Sequence, residues 1–201
     1  MTALRPDLKA IADIVPKSAR VLDIGCGTGD LLAYLRDEKS VDGRGIELDN
    51  KRVNAALAKG LSVIQGDADQ DLAGYPANAF DIAILSQTIQ AMHRPKDVLA
   101  DLMRVADATI VSFPNFGHWR IRAALAFKGR MPVTRNLPNR WYDTPNIHLC
   151  TVADFSALCD EIAANVEGAI AIAPSGAVRS FQPGSFAANL TAETAIFKIS
   201  K

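Results

Sequence analysis

The chain is poor in the residues that build metal and disulfide centres: its 201 positions include three cysteines, Cys26, Cys150 and Cys159, and three histidines, His93, His118 and His148. The cysteines form no CxxC pair and are odd in number, so they read as small buried residues of a reducing compartment rather than a disulfide or zinc framework. The histidines lie 25 and 30 residues apart with no HxxxH, and no metal site is expected. Charge of either sign is not in excess, since 22 Lys and Arg balance 22 Asp and Glu, which argues against bulk nucleic-acid binding. No run approaches the roughly 20 apolar residues of a membrane span. The first 17 residues also lack an apolar core followed by small residues, so the expectation is a soluble cytoplasmic protein.

What is present is 49% hydrophobic and 22% charged residues over 201 positions, enough for one globular domain with a sizeable core spanning 1–201. The most informative stretch is Val21-Leu22-Asp23-Ile24-Gly25-Cys26-Gly27-Thr28-Gly29-Asp30-Leu31-Leu32. Val21, Leu22 and Ile24 make a short buried strand, and Leu31, Leu32 and Leu35 open a helix whose N-terminal amides are expected to face a ligand. Gly25, Gly27 and Gly29 between them permit positive φ and close backbone approach. The dinucleotide fingerprint is GxGxxG, whereas this turn is GxGxG with an acid, Asp23, ahead of it. A pyrophosphate has no use for that carboxylate; an amino-acid ammonium does. The turn therefore favours S-adenosylmethionine over NAD.

Strand and helix signals then alternate, which means a mainly parallel sheet. A helix with Leu8, Ile11, Ala12 and Val15 on one face precedes Pro16, and the further strands fall at 43–48, 61–65, 80–85 and 109–113. Helices fall at 50–59, after Pro95 and at 152–164. Two closing strands at 168–173 and 192–200, separated by a loop rich in Gly, Pro and Ser, complete seven strands with helices on both faces.

In open α/β sheets ligands bind beyond the carboxyl ends of the strands. Glu47, 22 residues after Gly25, ends the second strand where a carboxylate can accept two ribose hydroxyls. Asp67 follows the third strand, where it can accept from an adenine amino group with the Ala68 amide beside the ring; its alternative role is to cap a turn. Ser86 and Gln87 end the fourth strand, near the amino-acid part of the ligand. The expected cofactor-binding set is thus Asp23, Gly25, Cys26, Gly27, Glu47, Leu48, Asp67, Ala68, Ser86 and Gln87, for S-adenosylmethionine or S-adenosylhomocysteine. In this order and at strand ends, these signals resemble the Rossmann-like class I S-adenosylmethionine-dependent methyltransferase fold.

Longer strings carry a sharper resemblance. Gln65-Gly66-Asp67-Ala68-Asp69, Ile84-Leu85-Ser86-Gln87-Thr88, Ser112-Phe113-Pro114-Asn115-Phe116-Gly117-His118-Trp119 and Arg140-Trp141-Tyr142-Asp143-Thr144-Pro145-Asn146-Ile147-His148-Leu149-Cys150-Thr151 are similar to the bacterial methionine-biosynthesis protein MetW family. The likeness runs from about Arg20 to Asp160, with a similar tail at 189–195, and departs at Thr28, where an acid is expected, and in the loop 174–185. It implies a methyltransferase-type fold that supports homoserine O-acylation together with a separate homoserine acyltransferase of α/β-hydrolase fold. The chain itself is not expected to be that enzyme, because no GxSxG nucleophile elbow exists and Ser86 and Ser112 lack its setting. The enzyme-class alternative is a small-molecule methyltransferase, for which His93, His118, Tyr142, Asp143 and His148 are candidate acceptor-side groups in no spacing that dictates chemistry.

Residues 112–150 are the expected substrate- or partner-facing insertion. They hold both tryptophans and are net +5, since Arg120, Arg122, Lys128, Arg130, Arg135 and Arg140 face only Asp143, leaving the rest of the chain at −5. Trp and Arg are frequent interface anchors, and Pro132, Pro138 and Pro145 would stiffen an exposed loop. Two other readings stand beside this one: an amphipathic helix, Trp119 to Phe127, packed on the sheet with snorkelling arginines, and a basic, aromatic RNA-facing patch, disfavoured because no nucleic-acid module accompanies it.

Overall fold

A computed structural model describes residues 4–134 and 136–201. Helix α1 (Pro6–Ile14) starts with proline at its first position, where the missing N–H costs nothing, and leads into β1 (Arg20–Ile24). Units of helix and strand follow: α2 (Asp30–Lys39), β2 (Asp42–Glu47), α3 (Asn50–Leu57), β3 (Ser62–Gln65), a single turn α4 (Ala68–Asp71), β4 (Phe80–Ser86), α5 (Pro95–Val105) and β5 (Ala106–Pro114). Asp49 caps α3 by accepting from the Lys51 and Arg52 amides, at 2.7 and 3.3 Å. Beyond β5 come α6 (Trp119–Lys128), α7 (Val152–Glu161), β6 (Asn165–Ile172), β7 (Val178–Phe181), α8 (Phe186–Thr191) and β8 (Thr194–Ser200). Thr151 and Asp154 form a reciprocal capping box at the start of α7.

The strands form one sheet in the order β3-β2-β1-β4-β5-β8-β6-β7. From β3 to β5 every pair is parallel; β8 runs antiparallel to both β5 and β6, and β7 is antiparallel to β6. The chain order reverses between β1 and β4, which places a crevice at their carboxyl ends.

Apolar side chains bury on both faces. Ile11, Leu32, Leu35 and Val53 from α1, α2 and α3 pack on Val21, Ile82, Ile84 and Ile110. On the other face Leu99 and Leu102 of α5 join Phe113, Phe155 and Phe197, whose ring centroids lie 4.8 to 5.9 Å apart.

Among the described residues the sheet has eight strands, one more than the seven expected. The extra strand, β7, lies inside the loop rich in Gly, Pro and Ser. There the Ala173 amide donates to Ala177 O at 2.9 Å and Gly176 adopts φ +83°, so the chain folds back as a hairpin on β6. Phe181 of β7 then meets Phe197 edge-on at 5.5 Å. Between β7 and β8 lies α8, capped by Ser185.

Helix α6 is not packed on the sheet as an amphipathic helix. Only Ile121 is buried along it, while Trp119 is 50% and Phe127 88% exposed.

Candidate functional site

The GxGxG turn shapes the crevice through two backbone constraints. Gly25 has φ +68°, and a Cβ there would stand 2.7 Å from the Thr88 side chain, so β1 and β4 close on each other only through glycine. Gly29, at φ +74°, leaves no room for a Cβ beside Leu61 and Ala56.

The amides of Gly25, Cys26 and Gly27, ahead of the helix, are paired within the protein. Gly25 and Cys26 both donate to Ile46 O, at 2.8 and 3.2 Å, and Gly27 donates to Glu47 Oε2 at 2.8 Å. The physical reason is the neighbouring β2: its carboxyl end carries acceptors in reach of the turn, and buried amides must be paired. Cys26 is buried with its sulfur against Gly45, and burial, followed by the charges of Asp23 and Glu47, pushes its thiol far above the ordinary range. It is an inert packing group.

Asp23 is the electrostatic centre of the crevice. It is 2% exposed, its Oδ1 has no hydrogen-bond partner among the described residues, and its pKa is pushed up to about 8, by desolvation first and by the Glu47 charge second. An orphaned buried carboxylate oxygen is costly unless something cationic meets it.

A cleft of about 800 Å³ opens over this group. It takes in Asp23, Gly25, Cys26, Gly27, Ser86 and Gln87 of the expected set, whereas Glu47, Leu48, Asp67 and Ala68 lie beyond its lining at the ends of β2 and β3. Glu47 is buried, with Oε1 accepting from the Asp49 amide at 2.9 Å. Asp67 caps α4, accepting from the Asp69 amide at 3.0 Å and from Gln70 Nε2 at 2.9 Å. Ala68 is buried and Leu48 is exposed. Gln87 sits at φ +55°, pinned by its amide to Ser112 O at 2.9 Å.

The candidate acceptor-side groups do not assemble. His93, Tyr142, Asp143 and His148 are all exposed and none lines the cleft. His148 is anchored instead through its amide to Gln90 O at 3.0 Å. His118 is buried in a neighbouring cavity. At the end of the cleft nearest β4 and β5 the polar groups are neutral: Ser86, Gln87, Thr88 and, from the segment after α6, Asn136, Asn139 and Asn146.

Sequence reasoning anticipated α1 as a helix but missed its part in the cleft. Leu4, Arg5 and Leu8 line the cleft, and Asp7, 7% exposed, accepts from Gln87 Nε2 at 2.9 Å and pairs with Arg5 at 3.0 Å. A buried-side Asp in the first turn of an otherwise apolar-faced helix was the available signal. Among the described residues there is no metal-ligating cluster and no helix long and apolar enough to cross a membrane.

Fold and crevice together define a protein of the class I S-adenosylmethionine-dependent methyltransferase fold. A Thermotoga maritima structure described as an S-adenosylmethionine-dependent methyltransferase, possible histamine N-methyltransferase, superposes with a TM-score of 0.71 at 16% identity, over 98% of this chain and 87% of that one. A Mesorhizobium loti S-adenosylmethionine-dependent methyltransferase gives 0.69 at 16% identity, over 98% of both. The model of the methionine biosynthesis protein MetW family matches residues 5–199, and the chain belongs to that family. The bifunctional methionine biosynthesis protein MetXA/MetW of Rhodopirellula baltica is 32% identical over 168 residues, which is 79% of this chain and 27% of that protein. The chain therefore spans about a quarter of that relative's length.

Proposed function

We propose that this chain is an accessory protein of methionine biosynthesis that supports homoserine O-acylation by associating, through residues 112–150, with a separate homoserine acyltransferase of α/β-hydrolase fold. The observation that carries this reading is the bifunctional relative, in which a MetXA part and a MetW part share one polypeptide. Covalent joining keeps two parts at high effective concentration, which is useful where they work together. The surface offered here agrees: Trp141 is 73%, Tyr142 56% and Phe127 88% exposed on the basic segment.

The crevice would hold S-adenosylmethionine or S-adenosylhomocysteine, and the residues present fit it. The orphaned Asp23 Oδ1 would receive the ammonium, and the Arg5 guanidinium at the rim would receive the carboxylate. Glu47 keeps acceptor capacity on both oxygens for the ribose hydroxyls, and the Ala68 amide would lie beside the adenine. Bound S-adenosylmethionine supplies an activated methyl group. The neutral lining beyond Gln87 would orient an acceptor without supplying a base near neutral pH.

The second reading, a small-molecule methyltransferase, is supported by the same crevice, because a sulfonium donor needs little beyond alignment of the acceptor. Labelled methyl transfer into a metabolite extract, with no partner present, discriminates the two. Incorporation would favour the methyltransferase; none, together with acyltransferase stimulation, favours the accessory role.

A further inference from the structure

A second cavity, of about 390 Å³, lies beyond the carboxyl end of β5 between α6 and the start of β8. Its size falls within the roughly 300–1,000 Å³ of small-ligand pockets. It is separate from the crevice over Asp23 but shares Pro114 and Asn136 with it as a common wall.

Three groups give this cavity its chemistry. His118 is 4% exposed, and its Nδ1 accepts from the Arg120 amide at 3.2 Å, which leaves the proton on Nε2, an atom with no partner among the described residues. Desolvation lowers the pKa of this ring, so it is a neutral donor at pH 7. Arg120 contributes a cation from the first turn of α6, where the helix dipole also favours an anion. Its guanidinium rests over the Trp119 ring, 5.4 Å from the centroid. Glu193 contributes the opposite charge, and its backbone is fixed on both sides, its amide donating to Ile172 O at 2.9 Å and its carbonyl accepting from the Asn115 amide at 3.0 Å.

Among the described residues, Arg120 and Glu193 line one cavity yet form no ion pair with each other or with any other side chain. Buried Ile121 and Leu137 supply an apolar surface beside them. A pocket with two donors for an anion, one acceptor for a cation and a small apolar floor matches a free α-amino acid with a short side chain. We propose that this cavity binds such an amino acid, its carboxylate on Arg120 and His118 Nε2 and its ammonium on Glu193. The proposal is independent of the reading of the crevice over Asp23.

Equilibrium dialysis of the full chain at pH 7.5 tests it, with the twenty standard L-amino acids and L-norvaline as probes. Pentanoate and butylamine serve as the norvaline analogues lacking the ammonium and the carboxylate. The expected result is that at least one short aliphatic amino acid binds below about 1 mM and that removing either charged group weakens binding roughly tenfold or more. Glu193→Gln and Arg120→Gln should each do the same, while S-adenosylhomocysteine affinity and the unfolding midpoint stay within about twofold and about 3 °C. His118→Asn keeps a helix cap but loses the Nε2 donor and should weaken the amino acid alone. No binding across the panel up to about 10 mM, or pentanoate binding as well as norvaline, would overturn the proposal.

Discussion

Glu47 Oε2 accepts the Gly27 amide at 2.8 Å, so the acid that ends β2 also holds the turn that follows β1. One buried carboxylate thereby shapes the turn beside the crevice, and under the proposed function its remaining lone pairs would accept from a ribose. Glu47→Ala should weaken S-adenosylhomocysteine roughly 10- to 150-fold by titration calorimetry, the equivalent of one charge-assisted hydrogen bond. Glu47→Gln should be nearly as damaging, because its Nε2 would face an amide donor at either Gly27 or Asp49. Full affinity in the glutamine variant would remove the double role.

Asp23 makes the ligand-free protein lose stability as pH rises from acid to neutral. Its folded pKa is raised, to about 8, from an ordinary value of 3.8, so the folded state binds a proton the unfolded state has already lost. Its contribution to stability is therefore present at acid pH and is lost as pH rises from about 4 towards 8, at up to about 1.4 kcal/mol per pH unit. Chemical denaturation of parent and Asp23→Asn should show the parent losing stability relative to the variant between pH 5 and pH 8. Parallel curves would mean that Asp23 is solvated or paired.

Arg5 should discriminate between ligands that do and do not carry a carboxylate. Arg5→Ala is expected to weaken S-adenosylhomocysteine roughly tenfold and to leave 5′-methylthioadenosine unchanged. Equal losses for both ligands would point instead to a general opening of the cleft when α1 is loosened from Gln87.

Trp141 is 73% exposed and touches Tyr142 edge-on at 5.5 Å, an arrangement that contributes little to the fold. Trp141→Ala should keep its unfolding midpoint within about 2 °C and its S-adenosylhomocysteine affinity, while losing most co-purification with the acyltransferase. Undiminished co-purification would move the contact elsewhere.

Much of this architecture was legible in the chain because local signals and long-range packing agree. The Val21-Leu22-Asp23-Ile24 strand, the GxGxG turn and the Leu31, Leu32, Leu35 helix face each form where propensity places them, with all three glycines at positive φ. The strand β7 was hidden because four residues bounded by Gly176 and Gly184 carry too little periodicity to register. The pairing of the turn's amides was hidden for another reason. Gly25, Cys26 and Gly27 are satisfied by Ile46 and Glu47, some twenty residues away, and no local pattern encodes that pairing. Likewise the five candidate groups from His93 to His148 were chosen by residue type, whereas the fold leaves four of them at the surface.

The most direct test is the initial rate of homoserine acylation by the co-expressed acyltransferase, measured with and without this chain at matched concentration. The accessory role predicts a rate increased severalfold or more when the chain is present, and a smaller increase with Trp141→Ala. An identical rate in its presence and absence would contradict it.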